Sequence, residues 1–112
     1  MTAFARVGAR MSEPLVIAQL SDGAAGPTLA AGFEEEGVPL TVSRAHGAPE
    51  ALAREAAHAS LLGIGIGGDG DRLVLVLAGG PASPYLEAPV SDARSFAHNV
   101  ARIAARRPLT LG

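Results

Sequence analysis

Short apolar runs alternate with helix-forming stretches along the first half of the chain. Residues 15–20 form an aliphatic run that ends at a polar turn, and residues 38–42 alternate apolar and polar side chains. Both patterns predict β-strands. Between them, residues 28–36 favour a helix, because Leu29 and Phe33 lie four positions apart on one face. The first half therefore begins with a strand, a helix and a second strand.

The second half of the chain shows the same two kinds of pattern, one typical of strands and one typical of helices. Residues 49–59 are rich in alanine and predict a second helix, and the apolar runs at residues 61–66 and 72–78 predict two further strands joined by a glycine- and aspartate-rich turn. After a proline-rich connection, residues 92–107 predict a last amphipathic helix, which Pro108 would stop. Its apolar face carries Phe96, Val100 and Ile103.

Strands that alternate with helices predict an α/β fold in which the sheet is mostly parallel. Right-handed crossovers favour the strand order 2-1-3, with the fourth strand antiparallel at the edge and helices flanking the sheet in three layers. We expect one α/β domain over residues 12–112, preceded by a flexible tail at residues 1–11.

Composition narrows the classes of function. The chain has 112 residues, of which 48% are hydrophobic and 18% charged, as is typical of one folded domain. It has no cysteine, which excludes disulfides and thiolate metal sites. Its apolar runs are far shorter than the roughly 20 residues of a membrane-spanning helix, and its net charge of −2 argues against nucleic-acid binding. We expect a cytoplasmic protein with neither a membrane nor nucleic acid as partner.

A glycine-rich segment raises one alternative. Residues 63–68 read GIGIGG and match the glycine spacing of a dinucleotide-binding loop. Such a loop must open a helix, whereas this segment leads into another predicted strand. A small nucleotide-binding α/β protein is therefore an alternative with little support, and Asp69 and Asp71 are interpreted as residues of a solvated turn.

Three consecutive glutamates, Glu34, Glu35 and Glu36, close the first predicted helix. The C-terminus of a helix carries partial negative charge, so carboxylates there are unfavourable unless something cationic compensates. Successive residues point in different directions around a helix, so only one or two of the three could bind the same metal ion or partner arginine. The alternative is a solvated acidic helix end.

Basic residues recur every four positions on the last predicted helix, opposite its apolar face. They are Arg94, His98, Arg102 and Arg106. We interpret them as a solvated helix face in preference to a docking surface. His46 and His58 have no second ligand at a fixed spacing, and no Ser, His and Asp set indicates a nucleophilic triad. These observations do not favour an enzyme.

Residues 32–39 read GFEEEGVP, which resembles the GIEEEGIP motif of the small subunit of diol and glycerol dehydratase reactivating factors. The resemblance continues through the opening strand, residues 60–65, residues 81–83, Asn99, and the closing pattern at Ala101, Arg102 and Pro108. It covers nearly all of the chain after Met11.

The resemblance implies a non-catalytic accessory subunit. Its expected partner is a large, chaperone-like ATPase subunit, with which it would release damaged adenosylcobalamin from an inactivated dehydratase. It would do so by exchange with the dehydratase medium subunit, and so would meet the dehydratase large subunit. The resemblance also implies that Glu35 helps bind Mg²⁺ at the interface with the large reactivase subunit, while the chain alone binds no cofactor. The location implied is cytoplasmic, with a bacterial microcompartment as one setting. The alternative is a structural medium-type subunit of a cobalamin-dependent dehydratase.

Overall fold

The computed structural model describes residues 16–80 and 84–106, which form a five-stranded sheet and three helices. The predicted tail at residues 1–11 and the predicted stop at Pro108 lie outside these residues. The strands are β1 (Val16–Leu20), β2 (Leu40–Arg44), β3 (Ile64–Gly68), β4 (Arg72–Leu77) and β5 (Leu86–Pro89). The helices are α1 (Gly26–Glu36), α2 (Pro49–Ala59) and α3 (Ala93–Arg106). Within the described residues, no helix has the length and apolar character needed to cross a membrane.

The sheet has the order β2-β1-β3-β4-β5. Strands β2, β1 and β3 are parallel, and β4 and β5 continue the sheet in antiparallel pairing. The predicted α/β class, the order 2-1-3 and the antiparallel fourth strand are confirmed. The sheet extends one strand further than expected, so β5 occupies the edge beside β4. Its pattern was missed because β5 has only four residues and ends at Pro89.

Strands β2 and β3 begin later than predicted, because the first residues of each predicted strand belong to the preceding turn. Val38 completes the end of α1, where its amide N–H donates to the carbonyl of Phe33, so β2 starts at Leu40. Before β3, the Ser60 hydroxyl oxygen accepts from the amides of Leu62 and Ile64, at 3.1 Å each. This turn delays β3 to Ile64.

The two faces of the sheet carry different helices. Helices α1 and α3 lie on one face, where side chains from β1, β3 and β4 form the main core with Phe33 and Phe96. Helix α2 covers the other face and packs Ala53 and Ala57 against Val74 and Val76. Because side chains alternate along a strand, β4 serves both cores.

Helix α2 lies unusually close to β3 because β3 presents glycine to it. A Cβ atom added to Gly65 would lie 2.2 Å from the backbone nitrogen of Ala57, and one added to Gly67 would lie 2.0 Å from the carbonyl oxygen of Pro49. No side chain fits at such distances. Two glycines of the GIGIGG segment are thus explained by helix packing, and the segment leads into β4 rather than into a helix.

Candidate functional site

The carboxylate triplet lies where α1 ends. Gly37 adopts the left-handed conformation with φ of 74°, and its amide donates to the Glu34 carbonyl at 3.0 Å. Together with the bond from the Val38 amide to the Phe33 carbonyl, also 3.0 Å, this forms a Schellman cap. Phe33 and Val38 are both buried in the main core. The cap therefore fixes where the three carboxylates leave the helix.

A close approach between α1 and α3 brings these carboxylates to a basic helix face. A Cβ atom on Gly32 would lie only 2.6 Å from the Cβ atom of Ala97, so the two helices cross with small residues in contact. Arg94 and His98 flank Ala97 on α3, and Glu35 and Glu36 follow Gly32 by about one turn. The crossing therefore places opposite charges side by side.

Glu35 and Glu36 form one ion-pair network with the basic face of α3. Arg94 donates to both carboxylate oxygens of Glu35, its Nε at 3.2 Å from Oε1. His98 lies between the two glutamates, with Nε2 at 2.8 Å from Glu35 Oε1 and Nδ1 at 2.7 Å from Glu36 Oε2. Arg102 Nε lies 3.2 Å from Glu36 Oε2. Each ring nitrogen of His98 thus faces one carboxylate, and which of the two donates depends on the tautomer.

The network lowers the pKa values of its two carboxyl groups and is open to water. The hydrogen bond from Arg94 holds the pKa of Glu35 below its ordinary value, and the hydrogen bond with His98 does the same for the pKa of Glu36. The Glu35 side chain is 46% exposed and that of Glu36 is 23% exposed. Both groups are therefore charged near neutral pH, and Glu35 is the more accessible of the two.

These contacts correct the interpretation of the last helix. Arg94, His98 and Arg102 were predicted as a solvated face, but they neutralise the glutamates at the end of α1. The compensating cation expected beside the triplet is thus supplied from within the chain. Because carboxylates at a helix C-terminus are unfavourable, the sequence predicted a compensating cation there. It did not show that α3 would provide the cation. The signal available in the sequence was the opposite charge of the two sets, one acidic and one basic.

Glu34 differs from its two neighbours. It is exposed, and within the described part of the chain it makes no ion pair or side-chain hydrogen bond. It lines a shallow groove between α1 and the start of β2, together with Ala30, Val38 and Leu40. The triplet therefore divides into a neutralised pair facing α3 and a single carboxylate facing β2.

The described residues include no group of three or more His, Cys, Asp or Glu side chains that could hold a metal ion. A cation at Glu35 would need oxygen ligands from another chain, and Arg94 would have to leave at least one carboxylate oxygen. Because the Glu35 side chain is nearly half exposed, such a replacement is sterically open. The donor set fits an interface ion that takes one protein carboxylate from this chain.

The other residues singled out in the sequence lie apart from this network. His46 is exposed after β2, and His58 is exposed near the end of α2. Asp69 caps the turn between β3 and β4, where its Oδ1 accepts from the amides of Asp71 and Arg72 at 2.8 and 2.9 Å. These amides hold the pKa of Asp69 below its ordinary value. The predicted turn role of Asp69 is confirmed.

Comparison with known proteins gives consistent matches over most of the chain. A family model described as dehydratase medium subunit matches residues 14–110. A solved structure described as "Glycerol dehydratase reactivase" is 29% identical, with a TM-score of 0.74. Another, "Structure of diol dehydratase-reactivating factor complexed with ADP and Mg2+", is 26% identical, with a TM-score of 0.73. Each match covers 87% of this chain and 96% of the other. No significant match was found among curated proteins.

Proposed function

The chain belongs to the dehydratase medium subunit family, and from that premise we propose that it is the small, non-catalytic subunit of a chaperone-like, ATP-dependent reactivase for a diol or glycerol dehydratase. The observation that carries the proposal is the match to two reactivase chains over 96% of their length. Those chains are therefore about as long as this one, so the similarity extends over a whole small chain. The ATPase activity would reside in a large partner subunit.

The proposed docking surface for the large subunit is the network of Glu35 and Glu36 with Arg94, His98 and Arg102. It offers charges of both signs, held in place by the Gly37 cap and by the crossing of α1 and α3. Mg²⁺ bound by Glu35 and by oxygen atoms of the large subunit would join the two chains. Mg²⁺ usually keeps several waters and binds one or two protein carboxylates, so one carboxylate from this chain is enough on its side.

The proposed action is subunit exchange. The chain would leave the large reactivase subunit and take the place of the medium subunit on the dehydratase large subunit, which would open a path for damaged adenosylcobalamin. Membership in the medium subunit family supports this step, because a chain of the same fold can compete for the same surface. A docking surface made of exposed ion pairs suits exchange, since such pairs add little net affinity.

A capture experiment tests the proposal. The chain is immobilised and exposed, in Mg²⁺ with and without ADP or ATP, to the large reactivase subunit and the dehydratase subunits of the same source. We expect capture of the ATPase subunit and nucleotide-dependent transfer to the dehydratase. Failure to capture the ATPase subunit under all conditions would count against the reactivase function.

The Glu35→Ala variant tests the metal contact. It should weaken capture of the large subunit in Mg²⁺ and leave the isolated fold intact, because the side chain is exposed and exposed ion pairs contribute little to stability. Glu34→Ala is the matched control, since Glu34 faces the groove beside β2. Equal loss of capture in both variants would contradict the role given to Glu35.

A second candidate function is a structural medium-type subunit of a cobalamin-dependent dehydratase. The family description itself favours it. The same capture experiment separates the two, because a medium-type subunit would bind dehydratase chains stably and would not bind the ATPase subunit.

A further inference from the structure

The two edges of the sheet are protected to different extents. At β5 the edge is four residues long and ends at Pro89, which has no N–H group, and it carries Glu87, whose side chain is 54% exposed. Proline, charge and short length are the usual features that prevent an edge strand from pairing. At β2 the five residues read LTVSR, and Leu40 to Ser43 include neither proline nor charge. The β2 edge is therefore open to another strand.

A groove in two parts lies along this open edge. One part is lined by Glu34 and Leu40 near the start of β2, and the other by Pro27, Val42 and Arg44 near its end. Ala30 on α1 lines both parts. The groove is thus apolar in the middle, acidic at one end and basic at the other.

We propose that a second copy of this chain occupies the edge, with the two β2 strands paired antiparallel about a twofold axis at Val42. This is the register that pairs all five residues of β2. A twofold axis places the same surface on both subunits, so the surface must be complementary to itself. The resulting sheet would be continuous across ten strands, five from each copy.

The cross-strand pairs of this register are favourable. Thr41 of each copy would lie opposite Ser43 of the other, and hydroxyl pairs of this kind stabilise antiparallel sheets. Val42 would meet its own copy, which gives a β-branched pair at the centre. Thr41 and Ser43 are exposed in the single chain, and Val42 is half-buried, so the surface needed is accessible.

The charges at the two ends of the groove complement each other in the same register. Arg44 of one copy would lie opposite Leu40 of the other, beside which Glu34 lines the groove. Directly opposed residues share a face of the sheet, so Arg44 would approach Glu34 twice, once on each side of the axis. Among residues 16–80 and 84–106, Arg44 makes one hydrogen bond, from Nη2 to the Ser21 carbonyl at 3.0 Å, which leaves other guanidinium donors for Glu34.

This inference does not rest on the proposed function, and its test uses the chain alone. Sedimentation equilibrium should show a dimer that Arg44→Glu or Glu34→Arg weakens at least about tenfold, because each change opposes like charges at both ends of the interface. The double variant Glu34→Arg with Arg44→Glu exchanges the two charges and should restore the dimer. Circular dichroism confirms that each variant is folded.

A cysteine cross-link tests the register, since the chain has no cysteine of its own. Val42→Cys should be cross-linked between copies by a short bismaleimide, because the two Cβ atoms across the axis would lie about 5 Å apart, slightly beyond the reach of a direct disulfide. Ala88→Cys on the β5 edge is the matched control and should not. The proposal would be overturned if the wild type is a monomer or if the single charge reversals leave the dimer unchanged. Equal cross-linking from both cysteines would also overturn it. Loss of large-subunit capture by Arg44→Glu in a monomeric chain would assign the edge to that partner instead.

Discussion

The two faces of the sheet are held to their helices in opposite ways. On the face covered by α1 and α3, large side chains fill the space, and Phe33 and Phe96 are almost fully buried among aliphatic residues. On the face covered by α2, helix and strand backbones approach so closely that Gly65 and Gly67 cannot carry a side chain. The first face is stabilised by large side chains that fill the core. The second requires glycines, because the helix backbone occupies the space where side chains would lie.

The difference extends to the charges around each face. The paired helices α1 and α3 share the network centred on His98, whereas α2 is linked to the sheet by Arg72, which lies 2.6 Å from Glu50 and 3.5 Å from Glu87. The face with a redundant apolar core thus also carries the larger set of exposed ion pairs. We therefore expect the α1 and α3 face to keep its fold when its ion pairs are lost.

The largest effect is expected from Phe33→Ala on the first face. Phe33 is 1% exposed in the main core and lies in the last turns of α1, so its loss leaves a cavity. Phe to Ala replacements in cores cost about 3 to 5 kcal/mol. Urea unfolding followed by circular dichroism should show that loss. A cost below about 1 kcal/mol would mean that α1 is held mainly by its ion pairs and cap.

Gly67→Ala should have the next largest effect, on the second face. The added methyl group meets the Pro49 carbonyl, a backbone atom that only a shift of α2 can move. Overpacking of this kind costs about 1 to 3 kcal/mol. Gly26→Ala is the control, because its nearest contact would be an ordinary 3.5 Å. If both variants unfold at the same urea concentration, the close approach of α2 and β3 is not needed for stability.

The outline of the fold could be predicted from periodicity, and its closest contacts could not. The apolar runs and helix caps predicted three helices, the order 2-1-3 and the first four of the five strands, and these are confirmed. The fifth strand was not predicted. The glycines of β3 were noticed, but their purpose depends on which helix lies over them. That is a tertiary property, and the sequence offered only the weaker comparison with a phosphate-binding loop.

The candidate site shows the same limit. The sequence predicted that the carboxylates at the end of α1 need a compensating cation, because helix dipoles act locally. The basic partners lie about 60 positions further along the chain; they are Arg94, His98 and Arg102. They reach the glutamates because α1 and α3 cross in contact at Gly32 and Ala97. The charges on two helices indicate that the helices are complementary. Which residues form ion pairs depends on where the two helices cross.

Acid should weaken the first face through its ion pairs. The pKa values of Glu35 and Glu36 are lowered in the folded chain, so the stability they contribute is present above the ordinary glutamate pKa and is lost as pH falls through the folded values. Urea midpoints measured from neutral to acidic pH should fall less steeply in the Glu35→Gln, Glu36→Gln double variant than in the wild type. Glu34→Gln removes a carboxylate that has no ion pair among the described residues of the single chain, so at concentrations where the chain is monomeric it should retain the wild-type slope.

The smallest effect is expected on the second face, from Arg72→Gln. Arg72 joins the first turn of α2 to β4 and β5 through the half-buried carboxylate of Glu50 and the exposed carboxylate of Glu87. The hydrogen bond with Glu50 is the main cause that raises the pKa of Arg72. Exposed ion pairs contribute little to global stability and are weakened by salt. The variant should therefore unfold close to the wild type in urea, while amide exchange at the start of α2 and in β5 becomes faster at low ionic strength. Equal exchange in the two proteins would show that the backbone contacts at Gly65 and Gly67 are enough to hold α2 without its ion pair.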